Sequence, residues 1–251
     1  MARQRGVIKL EGTLDDITFL KTSDGYMAKV KSSVSADRIA TDPDYARTRE
    51  NNAEFGRAGK AGQLLRSALR TEVKKVSDSR MISRLTQQMM TVLHADTTSV
   101  RGERNVVDGD LQLVEGFEFN EKGTLGTSLA TPYTTTIDRP SGDCKVDIPA
   151  FVPANVLSAP SGSTHFRIFT AAAEVDFENG TFTVDSKESE VLPIDYTATQ
   201  AINLVSTVSQ AGTLPVFVVL GVEYFQELNA AQYPLKNGAF TAMAVIKVSG
   251  K

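Results

Sequence analysis

The chain has 251 residues, of which 41% are hydrophobic and 23% charged, with a formal net charge of −3 at pH 7 and a single cysteine. This length allows one large domain or two modest ones that bury roughly 70–75% of the unfolded surface. No apolar run approaches the ~18 residues of a membrane span, the basic start has no stretch typical of a Sec signal, and one cysteine forms no internal disulfide. We therefore expect a cytoplasmic protein without a membrane partner.

The charge is distributed unevenly along the chain. Residues 1–100 contain 17 Lys/Arg and 12 Asp/Glu, whereas residues 101–251 contain 10 and 18. This polarity favours docking of the two halves on each other, or head-to-tail stacking of copies of the chain. Two independently solvated surfaces are the alternative.

The first predicted element is a small β-meander in residues 6–32, which contains a β-hairpin. Alternating runs flank the Asp24-Gly25 pair, which is a strong signal for a two-residue turn. Such a turn pairs Phe19 with Val30, and a hairpin this short must lie against something to be stable. One face of the hairpin then carries Ile17, Phe19, Ala28 and Val30.

Residues 43–95 form the predicted helical region. Asp42 followed by Pro43 is a favourable helix start, with Asp as the N-cap and Pro at the first position. Ser77 or Ser79 is suited to cap a second helix, and the short link between the helices predicts a helical hairpin. The apolar stripe of the first helix consists of Phe55, Ala58, Gly62, Leu65, Leu69, Val73 and Val76.

Three glycines are the unusual feature of the first helix. Gly62 belongs to the apolar stripe, whereas Gly56 and Gly59 form a second, bare strip beside it. Three helical glycines cost roughly 2–3 kcal/mol relative to alanine. We therefore interpret the strip as a close contact with another backbone, in this chain or in a second subunit. The run from Gly56 to Ala61 lacks the spacing and the hydroxyl of a phosphate loop, so no nucleotide cofactor is expected.

The helical region is also basic, which makes nucleic-acid binding an alternative. It has neither interleaved aromatic residues nor a recognised DNA-reading motif, so a solvated or protein-docking face is preferred. The basic residues between positions 47 and 84 are Arg47, Arg49, Arg57, Lys60, Arg66, Arg70, Lys74, Lys75, Arg80 and Arg84.

From about residue 110 the hydrophobic pattern changes to period two, with frequent turn signals. We predict an α+β fold: an N-terminal β-hairpin plus a helical hairpin in residues 1–105, then a C-terminal antiparallel β-sandwich in residues 106–251. The hairpins of the second region are predicted at Pro140-Ser141-Gly142-Asp143, at Asn179-Gly180, and between 214–225 and 240–248 with an excursion containing Asn237-Gly238.

The hairpin at Asn179-Gly180 carries an acidic face. A two-residue turn pairs Phe177 with Phe182 and places Glu174 opposite Asp185. Because opposed like charges destabilise a strand pair, this face is expected to meet solvent, a basic protein surface or a Ca²⁺ ion. The acidic face consists of Glu174, Asp176, Glu178 and Asp185.

Few residues are suited to catalysis. Two histidines and one cysteine are too few ligands for a typical zinc site, and we interpret Cys144 as a half-buried bystander. His94 is expected to close the second helix, and His165 to face solvent at the start of a strand. We expect no enzyme, no metal and no cofactor. An exposed aromatic platform for a ligand or carbohydrate would have to come from Tyr133, Tyr224, Phe225 and Tyr233, for which the core is an equally good location.

The N-terminal third resembles an uncharacterised family of bacterial proteins. The resemblance is carried by two stretches, GVIKLEGTLDDITFLKTSDGYMAKVK and RTRENNAEFGRAGKAGQLLRSALR. It implies a bacterial or prophage origin and transfers no activity, cofactor or site residue.

These patterns together favour a non-enzymatic structural or interaction protein that self-associates, as a homo-oligomer or with other particle proteins. A phage-like particle, an injection device and a filament would each use such a subunit. Nucleic-acid binding through residues 47–84 and ligand or carbohydrate binding by the sandwich are the alternatives. The residues expected to carry interactions are Gly56, Gly59, Arg57, Lys60, Arg66, Arg70, Glu174, Asp176, Glu178 and Asp185.

Overall fold

A computed structural model describes residues 1–30, 34–76, 78–235 and 240–250. The contacts within the chain divide it into two units, Met1–Glu50 and Asn51–Lys251. The domain boundary that the sequence indicates, between residues 105 and 106, stays a prediction.

The unit Met1–Glu50 contains a four-stranded antiparallel sheet with the spatial order β1-β4-β3-β2. A short helix, α1 (Ala36–Thr41), and a 3₁₀ turn, Pro43–Tyr45, follow it. The strands are β1 (Ala2–Arg3), β2 (Gly12–Leu14), β3 (Ile17–Thr22) and β4 (Gly25–Val30).

The predicted hairpin between β3 and β4 is confirmed, but its register is not. Thr22 pairs with Gly25, so Ser23 and Asp24 form the turn, and Phe19 lies opposite Ala28 rather than Val30. The Thr22 hydroxyl accepts a hydrogen bond from the Asp24 N–H and donates one to the Gly25 carbonyl. These bonds stabilise a turn at Ser23-Asp24, one residue before the predicted one. Because the pairing shifts by an even number of residues, the predicted face is preserved.

The predicted helix start is confirmed as well. Asp42 caps the 3₁₀ turn by accepting a hydrogen bond from the Asp44 N–H, with Pro43 at its first position. The long helix α2 follows directly. The helices of this region are α2 (Ala46–Ala68), α3 (Arg70–Val76) and α4 (Met81–His94).

Helices α2 and α4 pack closely, as expected for a helical hairpin. A Cβ atom built at Gly62 would lie 3.5 Å from Leu85 and 3.8 Å from Met89 of α4, so the glycine shortens the distance between the helices. The N-cap of α4 is Arg80, not Ser79. Ser77, the other predicted cap, and the predicted Asn237-Gly238 turn lie outside the described residues.

The unit Asn51–Lys251 also contains two antiparallel sheets. The smaller has the order β10-β6-β5, and the larger has the order β12-β11-β7-β8, with β13 also beside β11 and β9 beside β7. The strands of the small sheet are β5 (Thr134–Asp138), β6 (Asp143–Ile148) and β10 (Ile202–Thr207). Those of the large sheet are β7 (His165–Asp176), β8 (Thr181–Glu188), β9 (Leu192–Pro193), β11 (Val216–Leu228), β12 (Ala231–Pro234) and β13 (Ala242–Ser249). The unit also has three short helices: a 3₁₀ helix (Leu111–Val114), α5 (Leu125–Ser128) and α6 (Pro153–Val156).

The strands β7, β11 and β13 of the large sheet are buried along most of their length, whereas β8 and β12 are exposed. Phe169 and Phe217, from neighbouring strands, belong to the core formed with helices α2 and α4. Ile168 and Val218, which point to the opposite face, belong to a second core that includes Val146 of the small sheet. Helices and antiparallel sheets are thus present as predicted.

The central strand β11 contains a glycine at a close contact. Gly221 lies directly opposite Phe169 of β7. A Cβ atom built at Gly221 would lie 2.2 Å from the Phe169 ring, so only glycine fits beside this ring.

The remaining hairpins agree with the sequence in position. Residues Arg139–Gly142 connect β5 to β6, and β13 returns antiparallel beside β11. The β7–β8 turn is longer than predicted, because Asp176 pairs with Thr181 and leaves a loop of four residues, 177–180. Within the described part of the chain, no helix has both the length and the apolar character needed to cross a bilayer.

Candidate interaction surfaces

The bare strip of helix α2 points away from the core. At about 100° per residue, Gly56 lies on the side of α2 opposite the buried Leu65, and Gly59 lies about 120° from it. No described atom outside the helix itself lies within 4 Å of a Cβ atom built at either glycine. Phe55, predicted to belong to the apolar stripe, is 60% exposed. Among the described residues of the unit Asn51–Lys251, the two-sided packing expected of α2 is therefore absent.

A groove of about 700 Å³ lies beside this helix, and all of its lining residues belong to the unit Asn51–Lys251. Helix α2, residues 103–107 and the 177–180 loop form its walls. Its lining includes the partly buried hydrophobic side chains of Leu64, Val107 and Phe177. We call this feature the α2 groove.

The rim of the α2 groove is charged. Arg57 and Lys60 lie on the helix, Glu103 on the neighbouring segment and Glu178 on the hairpin loop. The structure therefore brings Arg57 and Lys60, predicted from the basic helix, to the same groove as Glu178, predicted from the acidic face. No sequence pattern indicated residues 103–107, which are far from α2 along the chain but line the same groove.

Arg57 holds the segment after α4 against α2. Its guanidinium donates hydrogen bonds to the carbonyl oxygens of Gly102 at 2.6 Å and Arg104 at 3.1 Å. The buried Glu54 carboxylate accepts a hydrogen bond from the Gly102 N–H at 2.7 Å, and its other oxygen lies 3.6 Å from His94. Arg57 is thus a structural residue of the groove wall. His94 ends α4, as predicted.

The hairpin loop at the groove is shaped by Asp176. Its carboxylate accepts hydrogen bonds from the N–H groups of Glu178 and Asn179 and from the Asn179 side chain. These bonds favour the four-residue loop over the predicted two-residue turn. In the resulting register Phe182 pairs with Val175 instead of Phe177.

Glu174, Asp176 and Asp185 share one face of the β7–β8 pair, because the register differs from the predicted one by two residues, whereas Glu178 lies in the loop. Glu174 is buried, with Oε2 accepting a hydrogen bond from the Ser209 N–H at 3.3 Å. Asp185 lies opposite Ala172, not Glu174. Burial raises the pKa of Asp185, but hydrogen bonds from Lys187 and the Thr207 N–H outweigh it, so the pKa is lowered. No cluster of three or more potential metal ligands occurs among residues 1–30, 34–76, 78–235 and 240–250.

Several of the basic residues considered for nucleic-acid binding contact oxygen atoms of the protein itself. Lys75 of α3 lies 2.6 Å from Glu188 of β8, which joins the basic helices to an acidic strand within the chain. The phosphate-binding surface open to a nucleic acid is correspondingly smaller than the sequence suggests. The basic residues with such contacts are Arg47, Arg49, Arg57, Lys75 and Arg84. Arg66 lies half-buried near the end of α2, and Arg70 is exposed at the start of α3.

The unit Met1–Glu50 presents an apolar surface. Leu14, Ile17 and Val30 lie side by side on adjacent strands and are 69%, 43% and 75% exposed. We call these three residues the apolar row. None of the described residues of this unit is buried. The sequence predicted that this face packs against another surface. The predicted face did not include Leu14, which lies on β2, outside the β3–β4 hairpin.

The residues considered for chemistry occupy structural positions. Cys144 is fully buried, and burial raises its pKa to about 11, so the thiol is unreactive near neutral pH. His165 is half-buried rather than solvent-facing, and its Nε2 lies 3.4 Å from Glu227. Tyr224 and Phe225 are buried, so the four candidate aromatic residues do not form one exposed platform.

Comparison of the chain with known proteins found no matching family model, no matching curated protein and no matching solved structure.

Proposed function

We propose that the protein is a non-enzymatic structural or interaction protein that self-associates into a larger assembly. The observation that carries this proposal is the unit Met1–Glu50, which has a regular sheet but no buried residue among those described. A small sheet needs an apolar face buried against a partner to be stable. Other copies of the chain supply such a partner.

The exposed apolar row supports the same conclusion. Each of Leu14, Ile17 and Val30 leaves much of its side chain in water. Scattered apolar residues are ordinary at a surface, but three in register on one face are typical of an interaction site. Burying an apolar side chain of this size contributes about 1.5–3 kcal/mol, which favours association.

The two sheets of the unit Asn51–Lys251 serve as the scaffold in this proposal, and we propose that they form a β-sandwich. The support is that Val146 of the small sheet and Val218 of the large sheet share one core. A rigid scaffold of this kind carries interaction surfaces without contributing a catalytic group.

The test is the molar mass in solution. We expect light scattering to give a mass above the 27.1 kDa of one chain and to show it rising with concentration. The substitutions Leu14→Lys and Val30→Lys, made singly, place a charge on the apolar row and should weaken association by about tenfold or more.

The matched control is Lys29→Gln. Lys29 neighbours Val30 on the same strand but points to the opposite face of the sheet. The Lys29→Gln substitution should leave the molar mass in solution unchanged. A wild-type chain that is monomeric up to high micromolar concentration would refute self-association.

A further inference from the structure

We propose, on the basis of the self-association proposed above, that the apolar row of one copy docks in the α2 groove of a second copy. The occupant of the groove is thus the β2–β3 end of the N-terminal sheet, with Leu14 and Ile17 entering and Val30 beside them. The α2 groove and the apolar row are different surfaces, so the contact is heterologous.

The apolar row and the α2 groove are both apolar surfaces. The apolar row needs an apolar partner, and the α2 groove provides Leu64, Val107 and Phe177 within its lining. A groove of about 700 Å³ is in the size range of protein sites that enclose several apolar groups. The contact would remove apolar surface from water on both copies.

The charges beside the apolar row are opposite to those on the α2 side of the groove. Asp15 and Asp16 form the turn between Leu14 and Ile17, so two exposed carboxylates stand at the end of the apolar row. Arg57 and Lys60 stand on the α2 side of the groove rim. Opposite charges across an interface steer the encounter and select its orientation.

The same charges determine how the turn enters the groove. Glu103 and Glu178 lie on the walls that face α2. They repel Asp15 and Asp16, so the turn is directed toward Arg57 and Lys60 on the helix. The acidic walls thus oppose the reverse orientation.

A heterologous contact of this kind joins the apolar row of each copy to the α2 groove of the next copy. It closes into a ring or continues as a filament, depending on the rotation between neighbours.

Disulfide cross-linking between two variants tests the contact directly. One chain carries Asp16→Cys in the turn, and the other carries Ser67→Cys in the groove lining. With diamide as the oxidant, we expect a dimer band in the mixture that is at least about tenfold stronger than in either variant alone, because only the mixture pairs the two thiols. The native Cys144 is buried and does not contribute.

The control for this experiment is Ser83→Cys. Ser83, like Ser67, is an exposed helical serine that donates its hydroxyl to a carbonyl of the preceding turn, but it lies on α4 outside the groove. Its mixture with Asp16→Cys should give no dimer band above the level of the single variants.

A charge exchange provides a second readout. Asp16→Lys and Lys60→Asp should each weaken association by about tenfold, and the double variant should recover most of the loss. Asp24→Lys, in the other turn of the same sheet, should have little effect.

The outcomes separate the two proposals. If the mass stays above one chain but the Asp16–Ser67 mixture cross-links no better than the control, the groove contact is wrong and self-association stands. If the wild-type chain is monomeric at every concentration, both proposals are wrong.

Discussion

At the scale of single residues, Gly142 and Gly180 have similar backbone conformations but differ in the space that a side chain would have. Both have positive φ, +79° and +69°, in hairpin loops. A Cβ atom built at Gly142 would lie 2.4 Å from the Val208 carbonyl oxygen, whereas nothing lies within 4 Å of one built at Gly180. The two positions therefore share a conformational requirement and differ in packing.

We expect Gly142→Ala to destabilise the protein much more than Gly180→Ala. The left-handed backbone costs a side chain about 1–2 kcal/mol at either position. At Gly142 the clash with backbone adds about 1–3 kcal/mol. Urea unfolding followed by circular dichroism measures the difference, and equal effects of the two substitutions would contradict this packing argument.

Glu174 shows why part of the candidate site could not be predicted. The alternation along β7 correctly places Glu174 and Asp176 on one face of the strand. Whether that face is open depends on the small sheet, whose strand β10 is followed by Ser209, the hydrogen-bond donor to Glu174. A single-strand pattern contains no information about such a cover.

At the scale of elements, the segment after α4 is organised by Asp96. Its carboxylate accepts hydrogen bonds from the N–H groups of Thr98, Ser99 and Asn105. The bond from Ser99, together with those from Thr98, outweighs burial and lowers the pKa of Asp96. The segment that Asp96 organises leads directly to the wall of the α2 groove.

This lowered pKa predicts a pH dependence of stability. The pKa of an Asp is about 3.9 in an unfolded chain, and that of Asp96 is lower in the folded protein. The ionised carboxylate therefore stabilises the fold above the unfolded pKa, and this stabilisation is lost as the pH falls from there through the folded pKa. Asp96→Asn should therefore lower the melting temperature at pH 7, and its difference from wild type should narrow below about pH 4.

Thermal melts at pH 7, 5 and 3 measure this effect. Asp37→Asn, an exposed position in the first turn of α1, serves as the control. A difference between Asp96→Asn and wild type that is constant across these pH values would contradict the assignment.

The elements themselves were largely predictable, and their registers were not. The turn signals at Asp24-Gly25 and Asn179-Gly180 located both hairpins. In both cases a side chain that hydrogen-bonds the turn backbone, Thr22 or Asp176, selected a different loop from the one favoured by the glycine pair alone. Alternation patterns do not show whether such side-chain hydrogen bonds or the glycine pair will determine the turn.

At the scale of the whole molecule, burial is concentrated in the unit Asn51–Lys251. Strand β11 is buried from Val216 to Phe225 and has neighbours on both sides. The unit Met1–Glu50 has no buried residue among those described. Local stability follows buried apolar contact, so the two units should differ in how readily they open.

Hydrogen–deuterium exchange measures this difference. We expect the amides of β11 to exchange slowest at every concentration. Amides of β3 and β4 should exchange rapidly in dilute protein and at least about tenfold more slowly once the protein has associated, because association covers the apolar row. Exchange in β3 and β4 that is independent of concentration would contradict the proposed function.

The sequence pointed to self-association for a reason that the structure does not support. The glycine strip of α2 suggested a second contact surface, yet Gly56 and Gly59 lie open on the side away from Leu65. The apolar row supports the same function more strongly, but it depends on the pairing of β2 with β3, which only the folded sheet reveals.

The contact between Gly221 and Phe169 also determines strand alignment. From Val216 to Phe225 the residues of β11 are apolar at nearly every position, so sliding by one residue would still bury hydrophobic side chains. Gly221 provides a notch that accepts the Phe169 ring in only one alignment. The smallest residue of the strand thus disfavours alignments that place a side chain opposite the Phe169 ring, a selection that hydrophobicity alone does not provide here.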